Sequence, residues 1–175
     1  SILFPAKSIS DFSFQRYISI THITIQYSVT SIGNFAFSKC TSLTQISIPS
    51  SIRSINKCLF LNCTSLKEIS LPLKLKDTKF AFENCKALEK IIIPSSINVI
   101  DNNAFKSCIS LTNVQFMIPS LQNLSEFCIL MGESRSDCVF GECISFIQIN
   151  LPSSIKKIGN NSFYNCMSVQ EIKIS

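Results

Sequence analysis

The stretch FLNCTSLKEISLP, residues 60–72, sets Phe60, Cys63, Leu66, Ile69, Leu71 and Pro72 at spacings that return along the whole chain. In isolation, Cys63 beside Asn62 reads as a reactive thiol. The recurrence points instead to packing. Cysteines stand at Cys40, Cys63, Cys85, Cys108, Cys143 and Cys166, with separations of 23, 22, 23, 35 and 23 residues. The gap of 35 is one period of 23 plus 12 extra residues. A Phe precedes each of these Cys by three: Phe37, Phe60, Phe82, Phe105, Phe140 and Phe163. Apolar residues follow at three, six and eight, as in Leu43, Ile46 and Ile48, and Pro49, Pro72, Pro94 and Pro152 come next in four copies. A degenerate first copy has Phe14, Tyr17, Ile20, Ile23 and Ile25 in the same slots.

About seven copies of a 23-residue unit describe a solenoid. Within a unit, LKEISL alternates apolar and polar residues and reads as a short strand with one face buried. Proline ends that strand because it cannot donate to a central ladder. PSSIRSI, PSSINVI and PSSIKKI then turn the chain. The following segment, which carries Phe and Cys inward, is too short for a long helix, and a helical turn or 3-10 segment is expected there. No unit buries its apolar face alone, so stacked units share one core and their strands form a parallel sheet. Seven strands spaced about 4.8 Å apart make a rod roughly 30 Å long. The expected class is an α/β solenoid, a single domain over 1–175 with an insertion within 117–142.

In this frame Cys40, Cys63, Cys85, Cys108, Cys143 and Cys166 form a structural column of small buried hydrophobes. A column of disulfides is disfavoured, because each Cys has a like neighbour on both sides. Cys58 sits near an inward slot and is expected to be buried.

Composition narrows the function classes. With 46% hydrophobic and 15% charged residues, the chain is not disordered. A net charge of +5 is too mild to argue for nucleic acid. No apolar run reaches the length of a membrane-spanning helix. The start, SILFPAKSIS, shows no basic segment followed by a long apolar one, so no signal peptide is read there. His22 is the single histidine and is expected at the surface. No triad, glycine-rich phosphate loop or short CxxC pair appears, so no catalytic residue, metal site or cofactor is assigned and an enzyme is not expected.

The unit IPSSIxxIxxxAFxxCxSLxxIxIP resembles the leucine-rich repeats of the BspA-like class, also called the Treponema pallidum type. ISIPSSIRSINKCLFLNCTSLKEISLP, IIIPSSINVIDNNAFKSCISLTNVQF and INLPSSIKKIGNNSFYNCMSVQEIKI carry the likeness, which covers nearly the whole chain. The resemblance implies a right-handed leucine-rich repeat solenoid. It also implies binding, since many members are cell-surface proteins that mediate adhesion to host proteins or other cells. The implied function is a non-enzymatic protein–protein interaction module at the cell surface or secreted. The alternative is an intracellular scaffold component, which nine cysteines without a disulfide framework would suit.

Candidate binding residues are the outward strand positions: Thr44, Gln45, Ser47, Lys67, Glu68, Ser70, Glu89, Lys90, Ile92, Thr112, Asn113, Gln115, Ile147, Gln148 and Asn150. Parallel stacking sets Lys67 beside Glu89 and Glu68 beside Lys90, and two crossed ion pairs are expected to support register. A second candidate is the insertion loop at Glu133, Ser134, Arg135, Ser136 and Asp137, with Cys128 and Cys138 able to form a local disulfide in an oxidising compartment. A third is the basic flank of Arg53, Lys57, Lys74, Lys76 and Lys79. Asn62, Asn84 and Asn165 each precede a column Cys and are expected to bond turn backbone through their amides. Among the glycosylation sequons, Asn123 is expected to be the accessible one, within the insertion. The final EIKIS ends on a strand, and an end-to-end contact through the C-terminal repeat, or a longer array, is expected to cover it.

Overall fold

Alternation of buried and exposed residues sets the strands. The computed structural model describes residues 6–75, 81–97, 99–117, 123–124 and 138–174. In chain order the strands are β1 (Ser8–Ile9), β2 (His22–Thr24), β3 (Ser31–Ile32), β4 (Gln45–Ser47), β5 (Glu68–Ser70) and β6 (Lys90–Ile93). They continue with β7 (Val99–Ile100), β8 (Asn113–Phe116), β9 (Asn123–Leu124), β10 (Gln148–Leu151), β11 (Lys157–Ile158) and β12 (Glu171–Ile174).

Every pairing is parallel and joins equal positions of the repeat. Ile23 pairs with Ile46 and Ile46 with Ile69; Ile91 pairs with Val114 and Ile149 with Ile172. Strands β2, β4, β5, β6, β8, β10 and β12 thus mark seven coils among the described residues. A second, narrower seam pairs β1 with β3 and sets β9 between β7 and β11. It follows the prolines: Ile52, Ile97 and Ile155 N–H donate to the carbonyls of Pro49, Pro94 and Pro152 at 3.0–3.1 Å, closing the turn before it.

The expectation of helical or 3-10 segments opposite the strands is not met. The fold is a β-solenoid of parallel sheets, and among the described residues the far side is built from turns. Two slots there, four residues apart, hold left-handed backbone: Phe12 and Arg16, Phe35 and Lys39, Cys58 and Asn62, Asn103 and Ser107, Asn161 and Asn165. A left-handed residue every fourth position cannot propagate a right-handed helix.

The main-chain donors of that side bond between coils instead. Phe12, Phe14 and Arg16 N–H donate to Asn34, Ala36 and Ser38 C=O at 2.8–2.9 Å. One coil on, Phe35, Phe37 and Lys39 donate to Lys57, Leu59 and Leu61 at 2.7–3.1 Å. Buried backbone groups must find partners, and here the neighbouring coil supplies them.

The core is a set of columns along the solenoid axis. Phe14, Phe37, Phe60, Phe82, Phe105, Phe140 and Phe163 stack in sequence with ring centroids 5.4–5.8 Å apart and planes within 14°. Leu43, Leu66, Leu88, Leu111 and Phe146 form a second buried column, and Ile46, Ile69, Ile91, Val114 and Ile149 a third.

Candidate functional site

Strand geometry turns alternate residues out of the core. Gln45, Ser47, Lys67, Glu68, Ser70, Glu89, Lys90, Ile92, Thr112, Asn113, Gln115, Ile147, Gln148 and Asn150 are all exposed, and Thr44 is half-buried. Register brings equal positions side by side, as Gln45 with Glu68 and Lys90 with Asn113. His22 lies on the same face in β2, exposed, with Nδ1 3.0 Å from Thr21 Oγ1.

Coils three and four of this face do not behave as the charge pattern predicts. The Glu89 N–H donates to Lys67 C=O at 3.3 Å, so the backbones are neighbours. Yet neither Lys67–Glu89 nor Glu68–Lys90 closes into an ion pair; among the described residues that contact forms between Lys173 Nζ and Glu171 Oε2, at 3.0 Å within one strand. Exposed ammonium and carboxylate groups gain little from pairing and keep their hydration. Thr44, Gln45, Lys67, Glu68, Glu89 and Lys90 line a shared concavity of about 540 Å³. A second cavity, of about 320 Å³, is lined by Asn113, Val114, Gln115, Phe116, Asn150, Leu151 and Pro152.

The Cys column lies inside. Cys40, Cys63, Cys85, Cys108 and Cys143 are fully buried and Cys166 half-buried, and each thiol has a role that packing alone does not describe. Each Sγ donates to the carbonyl of the Phe three residues before the preceding column slot. The contacts run from Cys40 to Phe14, Cys63 to Phe37, Cys85 to Phe60, Cys108 to Phe82, Cys143 to Phe105 and Cys166 to Phe140, at 2.9–3.2 Å. The one hint in the sequence was Cys, rather than Ala or Val, in six consecutive copies. Burial pushes every one of these thiols up, to about 12 for Cys108 and about 11 for Cys166. A protonated, buried thiol is neither a nucleophile nor a metal ligand.

The asparagines before the column Cys act differently from the expectation. Asn62, Asn84 and Asn165 have φ of 55–61°, a left-handed conformation that Asn adopts more readily than most residues. The Asn84 amide Nδ2 donates to Asn62 Oδ1, a side-chain partner one coil earlier rather than turn backbone. Conformation, not capping, selects Asn there.

Other candidates fall as follows. Cys58 is buried, as is Cys138, which occupies the same repeat slot. Cys128, Glu133, Ser134, Arg135, Ser136 and Asp137 lie outside the described residues, so the disulfide and the loop do too. Asn123 stands in β9, paired with β7 and β11, rather than in a loop. Residues 125–137 join Leu124 to Cys138, where residues 101 and 102 alone join Ile100 to Asn103. Arg53, Lys57 and Lys74 are exposed; Lys76 and Lys79 lie outside the described residues. Among the described residues no group of His, Cys, Asp or Glu is placed to hold a metal, and no helix is long and apolar enough to cross a membrane.

A family model for the BspA type leucine-rich repeat region matches residues 7–130 and 133–175, in six copies. The chain belongs to the BspA-type leucine-rich repeat family. A leucine-rich repeat protein from Bacteroides ovatus ATCC 8483 is 32% identical with a TM-score of 0.79, over 95% of this chain and 40% of its own. A leucine-rich cell surface protein from Faecalibacterium prausnitzii A2-165 is 27% identical, TM-score 0.76, over 98% and 43%. The T. pallidum leucine-rich repeat protein, 24% identical with a TM-score of 0.76 over 94% and 72%, shares the fold. The chain therefore spans less than half the length of two of these relatives. No curated protein matches the chain.

Proposed function

We propose that this BspA-type array binds protein partners through its strand face, centred on the concavity over β4, β5 and β6. The observation that carries this reading is the convergence of Lys67, Glu68, Glu89 and Lys90 around one hollow without pairing among themselves. Charges left unneutralised at a rigid concave surface are available to a partner of complementary pattern and give specificity by rejecting mismatched ones. Ile92 and Ile147, each 50% exposed on the same face, add apolar contact area.

A location at the cell surface or outside the cell is part of this proposal, supported by the likeness to a leucine-rich cell surface protein. So is contact through the C-terminal coil. Ile172 and Ile174 occupy the slots of the buried Ile149 and Leu151, yet are 43% and 60% exposed. A further strand against the free edge of β12 would cover them.

The test is affinity capture from solubilised host surface proteins, using the immobilised chain and its Lys67→Glu/Lys90→Glu variant. Proteins retained by the first and released by the second are the expected result. Equal retention on both would exclude the strand face as the contact surface.

A further inference from the structure

Charge is spread unevenly over the first three coils. Residues 1–66 hold five cations, Lys7, Arg16, Lys39, Arg53 and Lys57, against one acid, Asp11. None of the five lies in a strand of the strand face, where β2 and β4 read His-Ile-Thr and Gln-Ile-Ser. Three of them stand on the second seam instead. Ser8 pairs with Ser31 there, and Thr30 N–H donates to Lys7 C=O at 2.8 Å. The period of 23 places Arg53 and Ser54 in the same two slots one coil on. Ile9, Ile32 and Ile55 come next in each copy and are all buried.

The outward positions of this seam therefore form two rows along the axis, Lys7–Thr30–Arg53 and Ser8–Ser31–Ser54. Five of these six residues are exposed and Ser54 is half-buried. Beside the rows, Asp11 Oδ1 accepts the Asn34 N–H at 2.7 Å, and Asn34 Oδ1 accepts the N–H of exposed Lys57 at 3.2 Å. At the far end of the seam Lys156 and Lys157 are exposed, four and five residues after Pro152, as Arg53 and Ser54 stand after Pro49.

We propose that the second seam of coils one to three binds a linear sulfated polysaccharide. A sulfate ester accepts hydrogen bonds and donates none, while ammonium, guanidinium and hydroxyl groups all donate. Lys7 and Arg53 lie two coils apart, about 9.6 Å at twice the strand spacing, close to the length of one disaccharide. Sulfates that recur on each disaccharide thus fall opposite the cations, and the neutral ring hydroxyls between them fall opposite Thr30. Thr30 Oγ1 donates to Lys7 C=O at 3.2 Å, which leaves its lone pairs facing a sugar hydroxyl. Phe12, 52% exposed and stacked on Phe35 at 5.3 Å, offers an aromatic face to the C–H side of a ring.

Other polyanionic partners fit less well. A lipid surface is held by a broad apolar face together with charge, and neither row presents an apolar side chain. A single nucleic-acid strand needs successive aromatic platforms for its bases, and the rows hold hydroxyls instead. The hollow over β4–β6 sets Lys67 and Lys90 against Glu68 and Glu89, so it has no net charge to attract the same ligand. The seam is separate from the strand face, and this inference is independent of the protein-binding reading.

The experiment is a calorimetric titration of the chain with a heparin octasaccharide at about 0.1 M salt, where charges farther apart than ~10 Å are screened. A micromolar Kd is expected, weakened about tenfold in Lys7→Gln/Arg53→Gln by the loss of two exposed charge contacts. Lys86→Gln/Lys173→Gln removes equal charge from exposed positions elsewhere and should change the Kd less than about twofold. Circular dichroism confirms that each variant is folded. Absence of binding, or equal weakening by the two double variants, would overturn the proposal. So would a desulfated octasaccharide that binds as well as the sulfated one, or tighter binding of phosphatidylserine vesicles or a single-stranded oligonucleotide through Lys7 and Arg53.

Discussion

Replacing Cys85 by Ala removes one sulfur from a fully enclosed site. Two effects add. The first is a small cavity between the Phe60 and Phe82 rings' coils, similar in scale to deleting one methyl group, about 0.5–1.5 kcal/mol. The second is the thiol hydrogen bond to Phe60 C=O, 3.2 Å long. That carbonyl also accepts the Cys63 N–H at 3.0 Å, so it is not orphaned when the thiol goes. A weak bond whose acceptor stays satisfied contributes less than the usual net of about 0.5–1.5 kcal/mol. The sum is about 1–2 kcal/mol. Cys166→Ala deletes the same atom from a half-buried site and should cost less than about half as much. Urea unfolding followed by circular dichroism measures both, with the midpoint read at constant m. Equal losses at Cys85 and Cys166, or a loss at Cys85 below about 0.3 kcal/mol, would refute the reasoning that the column contributes through enclosed packing.

Four further outcomes are expected. Because folding raises the column thiol pKa values, the native state holds protons that the unfolded chain releases above its ordinary thiol value of 9.0. Stability should therefore be complete below pH 9 and fall as pH rises toward the Cys108 value of about 12, which alkaline titration of the unfolding midpoint checks. Alkylation of the native protein with N-ethylmaleimide, mapped by mass spectrometry, should modify Cys166 before any other column thiol. Lys39, at φ 61°, should accept Asn with a gain of a few tenths to about 1 kcal/mol in urea unfolding, since Asn tolerates left-handed backbone better. Hydrogen exchange should find the Ile147 amide less protected than that of Gln170, its counterpart one coil later, which donates to Ile147 C=O at 2.8 Å.

The strands and columns were legible because a buried-face strand has a period of two and a solenoid repeats it in register. Ile46, Ile69 and Ile91 needed no structure to be placed in the core. The back was not legible for a specific reason. Left-handed backbone is usually announced by glycine, and this chain has only four. Phe12, Phe35, Arg16, Lys39 and Glu142 adopt it with side chains that give no such notice. Asn62, Asn84 and Asn165 did give notice, but their recurrence before the column Cys read as an amide bond to turn backbone. At the face, which residues point outward followed from alternation. Whether Lys67 meets Glu89, or Ile147 N–H finds Thr112 C=O, depends on distances that no spacing encodes. The 12 extra residues marked the altered coil, yet not that its strand would lack a ladder to β8 while its back stayed bonded.

That separation of back from front explains how one repeat can host different surfaces. The elements that hold the register lie behind the strand face: the Phe stack, the thiol bonds to Phe carbonyls and the main-chain bonds between turns. None of them uses a side chain at four, five or seven after the Cys. Those three positions are consequently free to read Lys-Glu-Ser in one coil, Glu-Lys-Ile in the next and Thr-Asn-Gln in the one after. The same division lets the ladder lapse between β5 and β6 and between β8 and β10 without losing the solenoid. Between Thr112 and Ile147 the front loses its ladder, while Phe105 and Ser107 keep theirs and Cys143 still reaches Phe105 C=O at 3.1 Å. If the front ladder carried the register, a break there would have shifted the coils that follow. Instead β10 and β12 pair at equal positions, Ile149 with Ile172, as the repeat requires. The strand face is thus carried by the back, and its chemistry is decided coil by coil.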